Sequence, residues 1–377
     1  MTAWRVPLSD LEVTDGDLAA VVDTYRSGWL TMGPETERLE ETFAQYVGAA
    51  HSIAVTNGTA ALHLTCAATG LGPGDEVIVP SLTFVATINA IAYTGARPVF
   101  AEIVGLDAPW LSATAAEAAI SPRTKAIMTM SYGGHAGDVA RIRQLADRHD
   151  LLLLEDAAHA AGARLDGRHL GTFGIAGAFS FFSNKNLAVG EGGMVVTHDG
   201  ALAERLRLLR SHGMTTLTWD RHCGHAASYD VVALGYNYRI DEPRAALGRA
   251  RLARLDDENR RRHELDIRYR ELLGDIDGVG LLQPPVPNLI CSHHLFAIVL
   301  EEGVDRDRFR GKLADRAVQT SVHYPPVHRF SIYREHAPEM PVTDAYATRS
   351  VTLPMFAHMT HEQQDLVVEA VRDAARG

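Results

Sequence analysis

Lysine, cysteine and long hydrophobic runs are scarce in this sequence, and each shortage narrows what the protein can be. Only three of its 36 basic residues are lysines, at positions 125, 185 and 312. The three cysteines are scattered, which argues against a disulfide framework and favours a reducing compartment. No apolar run approaches the ~20 residues of a membrane-spanning helix, and the first residues lack the apolar core of a signal peptide. We therefore expect a cytoplasmic protein.

Acidic residues outnumber basic ones, 47 to 36, which gives a net charge of −11. A protein that binds the phosphate backbone of nucleic acids carries the opposite balance, so general nucleic-acid binding is not expected. A local basic pocket is still compatible with this charge. At 377 residues the chain exceeds the size at which a single core usually stops growing, so two domains are predicted.

Short strands that are apolar throughout alternate with helical stretches over the first 200 residues. We predict strands over 52–55, 76–79, 98–103, 126–130, 151–154 and 194–197, and helices over 35–47, 60–68, 85–93 and 140–149. This alternation is typical of an α/β fold with a mostly parallel sheet covered on both faces. A charged helical region over 241–273, a strand over 294–300 and a capping box that opens a last helix at 360 follow. We assign a large domain to 1–250 and a smaller α+β domain to 251–377.

Lys185 is the most informative residue of the chain. It lies between the aromatic run Phe179–Phe182 and the glycine-rich turn Gly190–Gly193. Arginine supplies nearly all other positive charge, so a lysine in this setting is unlike a solvated surface cation. A lysine amine can lose its proton and attack a carbonyl, whereas a guanidinium stays protonated. The sequence therefore predicts a lysine that forms an imine, with an ordinary lysine on a hairpin turn as the alternative.

Polar residues follow other predicted strands. A turn over 56–59 leads into a helix whose free backbone amides suit a phosphate, although an ordinary turn capped by Thr59 has the same pattern. Asp156 and His159 follow a buried strand, at the edge where α/β sheets bind ligands. Asp156 suits a cationic ring nitrogen, and His159 suits a nearby oxygen. The alternative makes Asp156 a helix N-cap and His159 a satisfied buried histidine. The segment 234–239, with Asn237 and Arg239, suits an anion or is a structural loop.

Several segments, which follow one another in the same order along the chain, resemble those of the pyridoxal-phosphate-dependent sugar aminotransferases of the DegT/StrS group. The similar segments are 57–64, 80–84, 156–159, 180–186 with 190–193, 235–239, 323–326 and 353–355. The resemblance extends over roughly residues 25 to 370. It implies a fold-type-I transferase with pyridoxal 5'-phosphate as cofactor, a large domain with a mostly parallel sheet and a smaller α+β C-terminal domain.

Carried over by position, the resemblance implies that Lys185 holds the cofactor as an internal aldimine and then moves the proton. Asp156 would pair with the ring nitrogen, and His159, where many relatives have glutamine, would lie near the ring hydroxyl. The other cofactor contacts implied are Phe84 on the ring and Gly58, Thr59, Ala60 and Ser180 on the phosphate. Asn237 would reach the phosphate of a neighbouring subunit, which implies a homodimer with shared active sites.

The chain departs from the family pattern at two places. Ser183–Asn184 stands where many members have Pro-Thr or Ala-Thr, and Met130–Gly134 replaces a commoner Val-His-Leu-Tyr-Gly. We expect neither departure to contact the assigned catalytic groups, Lys185 and Asp156, and we expect both to bear on substrate preference. One dehydratase branch of the family has histidine in place of the lysine, and Lys185 argues against membership of that branch.

Candidates for substrate binding come from the segments 235–239 and 323–326. Arg239 suits the carboxylate of the amino donor, because a planar guanidinium matches that group. His323 and Tyr324 are candidates for the acceptor site. A structural role is the alternative for all three residues.

Histidines elsewhere are not predicted to hold a metal. The spacing of His222, Cys223 and His225 fits no common zinc pattern. His293 and His294 are interpreted as residues at the edge of a strand, with no ligand set around them. No metal site is therefore predicted.

The function predicted is transfer of an amino group from L-glutamate to a keto sugar, and two rival functions remain. The acceptor is expected to be nucleotide-linked, and the mechanism is expected to be ping-pong. One rival keeps the fold and cofactor but acts as a dehydratase or a cyclitol or aminobenzoate-type synthase. The other is a non-catalytic regulatory protein that binds the cofactor.

Overall fold

The structure is a computed structural model that describes residues 4–216, 219, 222–224 and 228–376. Its α-helices are α1 (Asp15–Ser27), α2 (Pro34–Val47), α3 (Gly58–Ala68), α4 (Val85–Ala92), α5 (Ala113–Ala118), α6 (Val139–Arg148), α7 (Gly200–Arg210), α8 (Glu242–Leu252), α9 (Leu255–Leu273), α10 (Arg306–Asp315), α11 (Pro341–Arg349) and α12 (His361–Ala375). Its strands are β1 (His51–Val55), β2 (Glu76–Pro80), β3 (Arg97–Ala101), β4 (Thr124–Met130), β5 (Leu152–Asp156), β6 (Arg164–Leu165), β7 (Arg168–His169), β8 (Ala176–Ser180), β9 (Gly193–Thr197), β10 (Val279–Leu281), β11 (Leu289–Ile290), β12 (Phe296–Leu300) and β13 (Ser350–Leu353).

A seven-stranded sheet forms the centre of the molecule, in the order β1-β9-β8-β5-β4-β2-β3. The strands from β8 to β3 pair in parallel, and only β9 runs against its two neighbours β1 and β8. This confirms the α/β fold with a mostly parallel sheet. The carboxyl ends of β5, β4, β2 and β8 therefore lie along the same edge of the sheet.

Both faces of this sheet are buried, because helices cover each of them. Successive strand residues belong to opposite cores: Leu153 packs with α2, α6 and α8, whereas Leu154 packs with α3, α4 and α7. Strands covered in this way are apolar throughout rather than alternating, which is why short apolar runs predicted them. Among the described residues, no helix is both long and apolar enough to cross a membrane.

A third core follows the large sheet in the sequence. It is built by the antiparallel sheet β10-β12-β13 and by α9, α10 and α12. The predicted capping box opens α12: the Thr360 hydroxyl accepts from the Gln363 N–H, and Gln363 Oε1 accepts from the Thr360 N–H. The boundary predicted near residue 250 falls within α8, and a division of the chain at that position stays a prediction.

Some elements differ from the sequence predictions. The helical region over 241–273 is two helices, α8 and α9, interrupted at Ala253 and Arg254. Helix α1 and strand β8 were not predicted. Strand β5 extends to Asp156, two residues beyond the predicted end at 154.

The side chain of Glu242 joins α8 to the start of α2. Its Oε1 accepts from the N–H of Gly33 at 2.8 Å and from the N–H and hydroxyl of Thr36, and its Oε2 accepts from the N–H of Glu35 at 2.7 Å. Gly33 is the N-cap of α2 and has no side chain that could bind these amides. The buried carboxylate of Glu242 therefore replaces a local cap and stabilises the first turn of α2.

We expect the substitution Glu242→Ala to lower the free energy of unfolding by about 3 kcal/mol, because it leaves several buried donors without an acceptor. Urea unfolding at neutral pH measures this change. The matched control is Glu271→Ala, which removes an exposed glutamate from α9 and should change stability by less than about 0.5 kcal/mol. Equal midpoints for the two variants would contradict the capping role.

Candidate active site

A cavity of about 610 Å³ opens where the parallel strands end. It is bordered by residues that follow β1, β2, β5 and β8 and by a segment that precedes β13. Ten of the twelve residues predicted for the site line it: Gly58, Thr59, Ala60, Phe84, Asp156, His159, Ser180, Lys185, His323 and Tyr324. The topology thus brings together residues that lie up to 266 positions apart in the chain (324 minus 58).

The turn after β1 leads into the start of α3, which lies beside Ser180 and suits an anion. Helix α3 begins at Gly58, two residues before the predicted start, and its N-cap is Asn57, not Thr59. Asn57 Oδ1 accepts from the Ala60 N–H at 2.8 Å, so this amide is already bonded within the turn. A Cβ on Gly58 would come within 2.7 Å of Ser180 Cβ, and glycine is therefore required here. The positive end of α3 and the Ser180 hydroxyl thus face one part of the cavity.

Asp156 is the last residue of β5, and no helix begins after it, so the helix N-cap alternative is wrong. Its Oδ2 accepts from the Thr87 hydroxyl at 2.6 Å, and its Oδ1 accepts from the Ala158 N–H at 3.1 Å. Burial raises the pKa of Asp156, while these two hydrogen bonds and the charge of Lys185 lower it. Thr87 Oγ1 lies 2.7 Å from Thr83 Oγ1, and since Thr87 donates to Asp156, Thr83 donates to Thr87.

Lys185 lies in the connection between β8 and β9, where its N–H donates to the Phe182 carbonyl at 2.8 Å. Burial lowers the pKa of the Lys185 amine to about 8, and the negative charge of Asp156 opposes this effect. A lysine on an ordinary exposed turn would not be shifted in this direction. Nζ also lies 3.5 Å from Nε2 of His294. His294 was interpreted from the sequence as a strand-edge residue, but β12 begins only at Phe296 and His294 is buried beside the amine.

Both nitrogens of His159 are engaged. Nδ1 accepts from the Gly133 N–H at 3.2 Å, so the neutral ring carries its proton on Nε2, which donates to the Tyr324 hydroxyl at 2.9 Å. Burial, assisted by the positive charge of Lys185, holds the pKa of His159 well below its usual value. His159 is therefore a satisfied buried histidine that also faces the cavity, and it can reach a cofactor oxygen only by exchanging its bond to Tyr324. The departure at Met130–Gly134 therefore contacts a predicted cofactor residue, although His159 is not one of the predicted catalytic groups.

The remaining predicted residues are distributed around this centre. The Phe84 ring is 55% exposed at the cavity and lies 5.9 Å from the Tyr324 ring, centroid to centroid. His323 Nδ1 lies 2.9 Å from the Thr352 hydroxyl. Asn237 and Arg239 do not line this cavity in the described part of the protein. Their predicted roles, which for Asn237 concern a second subunit, stay predictions.

No metal centre is found among the described residues, which contain no group of three histidine, cysteine or acidic side chains arranged to hold an ion. The ring of His222 lies 4.5 Å from the ring of Trp29. His225 lies outside the described residues. His293 is buried and lies close to Asp266 and His263.

Sequence reasoning missed Thr87, Gly133 and His294. Thr87 lies in α4, three positions after the N-cap Phe84, so helical spacing places both residues on one side of the helix. This spacing gives no reason to expect a hydrogen bond from Thr87 to Asp156. Gly133 lies in a segment that had been noted only as a departure. For His294 no local signal was available, because its partner Lys185 is 109 positions away.

The residues present fit the expected pyridoxal phosphate. The close approach of Gly58 and Ser180 leaves a cradle that a Cβ would fill, and the amides of a helix start face it. Asp156 presents a buried carboxylate, and Lys185 an amine of lowered pKa, to the same cavity. On this arrangement Gly58 and Ser180 would hold the phosphate, Asp156 the ring nitrogen, Phe84 a face of the ring and Lys185 the reactive carbon.

Known proteins similar to this chain are aminotransferases and biosynthetic proteins. A profile of the DegT/DnrJ/EryC1/StrS aminotransferase family matches residues 12–372. The chain is 40% identical over 375 residues to the spore coat polysaccharide biosynthesis protein SpsC of Bacillus subtilis, covering 96% of this chain and 95% of SpsC. DesV of S. venezuelae, solved in complex with a ketimine intermediate, is 40% identical over 99% of both chains with a TM-score of 0.91.

A further solved structure bears on the cofactor. Spr1654 of Streptococcus pneumoniae, solved in its PLP form, is 26% identical over 98% of both chains with a TM-score of 0.91. The family match spans nearly the whole chain, and the fold agrees with these structures over nearly its full length. This chain therefore belongs to the DegT/DnrJ/EryC1/StrS aminotransferase family and is a pyridoxal-phosphate-dependent aminotransferase of fold type I.

Proposed function

We propose that this aminotransferase moves the amino group of L-glutamate to a nucleotide-linked keto sugar, in two successive half-reactions. In the first, glutamate gives up its amino group and leaves as 2-oxoglutarate. In the second, the carbonyl carbon of the keto sugar accepts that amino group. The observation that carries the proposal is that Lys185 and Asp156 face one cavity together with the helix start at Gly58. Similarity to a polysaccharide biosynthesis protein supports a sugar as acceptor.

Pyridoxal phosphate, when bound, supplies an electron-poor ring that stabilises negative charge on the carbon next to the transferred nitrogen. Lys185 moves the proton on which this chemistry depends. With a pKa of about 8, roughly a tenth of its amine is neutral at pH 7, so Nζ can both accept and return a proton near neutrality. In each half-reaction Nζ would move a proton between the substrate carbon that bears the transferred nitrogen and the cofactor carbon bonded to that nitrogen.

Asp156 would hold the ring nitrogen of the cofactor and, by its negative charge, favour the protonated form of that nitrogen. Thr87 and Ala158 each donate to one of its oxygens, and these bonds fix the plane of the carboxylate. Because the site is buried, a negative charge at this position favours a positive partner more strongly than it would in water. Met130, Tyr324 and Phe84 border the same cavity.

We further propose that two copies of the chain share their active sites and that the enzyme acts in the cytoplasm. Asn237 is exposed, outside the lining of its own cavity, and its side chain is free to face a second copy. Such a dimer would let Asn237 reach the phosphate in the cavity of the neighbouring subunit. Arg239 remains our candidate for the carboxylate of the donor, and His323 and Tyr324 for the acceptor.

The absorption spectrum of the protein with pyridoxal phosphate tests this function. We expect a yellow band that bleaches when L-glutamate is added and returns when a nucleotide-linked keto sugar follows. D-Glutamate is the matched control and should leave the band unchanged. A band that ignores every amino donor would reject the transaminase function and favour the dehydratase or regulatory alternatives. A band that bleaches but returns only with free keto acids would reject the sugar acceptor.

A further inference from the structure

His294 approaches the amine of Lys185 from outside the cavity. It precedes β12, does not line the cavity, and has its ring 4.2 Å from the ring of His159, centroid to centroid. Its Nε2 lies 3.5 Å from Lys185 Nζ, at the outer limit of a hydrogen bond. Contacts of this kind are often long in structures without a bound ligand and shorten in the complex. None of the roles described above uses this histidine.

A chain of amide groups fixes which nitrogen of His294 carries the proton. Asn259 Nδ2 donates to the Ala161 carbonyl at 2.9 Å, so Asn259 Oδ1 is the acceptor for Asn186 Nδ2 at 2.7 Å. Asn186 Nδ2 also donates to the Ser292 carbonyl at 2.7 Å, which uses its second hydrogen. The atom of Asn186 that faces His294 is therefore Oδ1, which lies 2.9 Å from His294 Nδ1. An amide oxygen can only accept a hydrogen bond. The proton of the neutral His294 ring is thus on Nδ1, and Nε2 presents a lone pair.

The surroundings also keep this ring neutral. His294 is buried, and burial together with the positive charge of Lys185 holds its pKa well below the usual value. A neutral ring with its proton on Nδ1 can accept a hydrogen bond from Nζ but cannot donate one. This distinction matters because an amine that donates to a neighbour keeps its own lone pair, whereas an amine that accepts a hydrogen bond has its lone pair occupied.

We propose that His294 is a positioning residue for Lys185, whose Nζ donates to His294 Nε2 and so keeps its lone pair directed into the cavity. Asn186 and Asn259 act one and two steps further away, by holding His294 in the tautomer that accepts. The opposite tautomer would donate to Nζ and occupy the lone pair that must take up a proton. This proposal rests on the proposed role of Lys185, but its test in the cofactor-free protein does not depend on donor or acceptor.

The test measures the pKa of the Lys185 amine in cofactor-free protein. Acetic anhydride acetylates neutral amines, and peptide mass spectrometry follows Lys185 and the exposed Lys125 in the same digest as a function of pH. In His294→Leu the ammonium loses an acceptor, and we expect the pKa of Lys185 to fall by about one unit. In His294→Gln an amide oxygen can replace Nε2, and we expect the pKa to stay within about 0.3 unit of the parent. Lys125 should be unchanged in both variants.

If His294 only supported the local structure, the leucine and glutamine variants would not differ in their effect on the pKa of Lys185. If the leucine and glutamine variants shift the pKa of Lys185 equally, or if neither shifts it, the proposal is wrong. Unfolding midpoints identify a variant that does not fold. His294→Asn then replaces the leucine variant, because its amide can donate to Asn186 but is too short to reach Nζ.

The loaded enzyme supplies a second readout. We expect kcat to fall about tenfold in His294→Leu with KM for the amino donor unchanged, and His294→Gln to recover most of the loss. An equal loss in both variants would also reject the positioning role. If the parent enzyme turns over no substrate, the proposed function fails while the acetylation experiment still decides the role of His294.

Discussion

Replacing Lys185 with alanine is expected to lower kcat by about 10⁴-fold. The substitution removes the group proposed both to hold the cofactor covalently and to move the proton, and positioned proton transfer alone contributes up to about 10⁴-fold. The methyl group of alanine leaves the phosphate cradle and Asp156 in place, so the cofactor should still bind without a covalent bond. Steady-state kinetics measures the loss, and the absorption spectrum reports the missing covalent bond.

The small number of lysines provides a matched control for this experiment. Lys125 is exposed on β4, and Lys125→Ala should leave both the spectrum and kcat unchanged. Lys185→Arg tests whether positive charge alone is sufficient, and it should be as inactive as the alanine variant because a guanidinium does not give up its proton. Repeated turnovers by Lys185→Ala at a rate near that of the parent would overturn the assignment.

The substitution Asp156→Asn should lower kcat by about 10²- to 10³-fold. An amide cannot hold a proton on the ring nitrogen by its charge, so negative charge that develops on the substrate carbon is less stabilised. The fold should persist with some loss of stability, because the amide oxygen can still accept from the Thr87 hydroxyl whereas the amide nitrogen would face the Ala158 N–H. A shift of the absorption maximum of the bound cofactor and a loss in kcat are therefore expected together.

Glu155 is a control for the removal of a neighbouring buried carboxylate. It precedes Asp156 in β5, points to the other face of the sheet and accepts from the N–H groups of Gly171 and Gly174. Glu155→Gln should lower stability, since its amide would meet one of these donors with another donor. It should leave the cofactor spectrum unchanged. Unchanged kinetics in Asp156→Asn, or an equal loss of kcat in both variants, would count against the role of Asp156.

The sequence predicted the parts of the site that lie in short motifs. Asp156 ends β5, whereas Lys185 and the turn before α3 each follow a strand, and these strands place all three at one edge of the mostly parallel sheet. The partners of these residues were not predictable in this way. The side chains that face Asp156 and Lys185 depend on the order of strands in the sheet and on the packing of β12 against it. No local sequence pattern predicts either of these.

The missed elements have local physical reasons. Strand β8 has the sequence Ala-Gly-Ala-Phe-Ser, whose small residues have low strand propensity, and it is a strand because β5 and β9 pair with it on both sides. Helix α1 has a readable start, since Thr14 and Asp17 form a capping box, but none of its apolar residues is fully buried. The break between α8 and α9 contains neither glycine nor proline, so the pattern gave no stop signal.

The contact between Lys185 and His294 joins two parts of the molecule. Lys185 belongs to the connection between β8 and β9 of the seven-stranded sheet, whereas His294 lies two residues before β12 of the three-stranded sheet. A displacement of one sheet relative to the other by about an ångström would therefore lengthen this contact beyond hydrogen-bond distance. If the proposed role of His294 holds, the pKa and the orientation of this single amine depend on the relative position of the two sheets, and a ligand that draws the sheets together would direct the lone pair of the amine into the cavity.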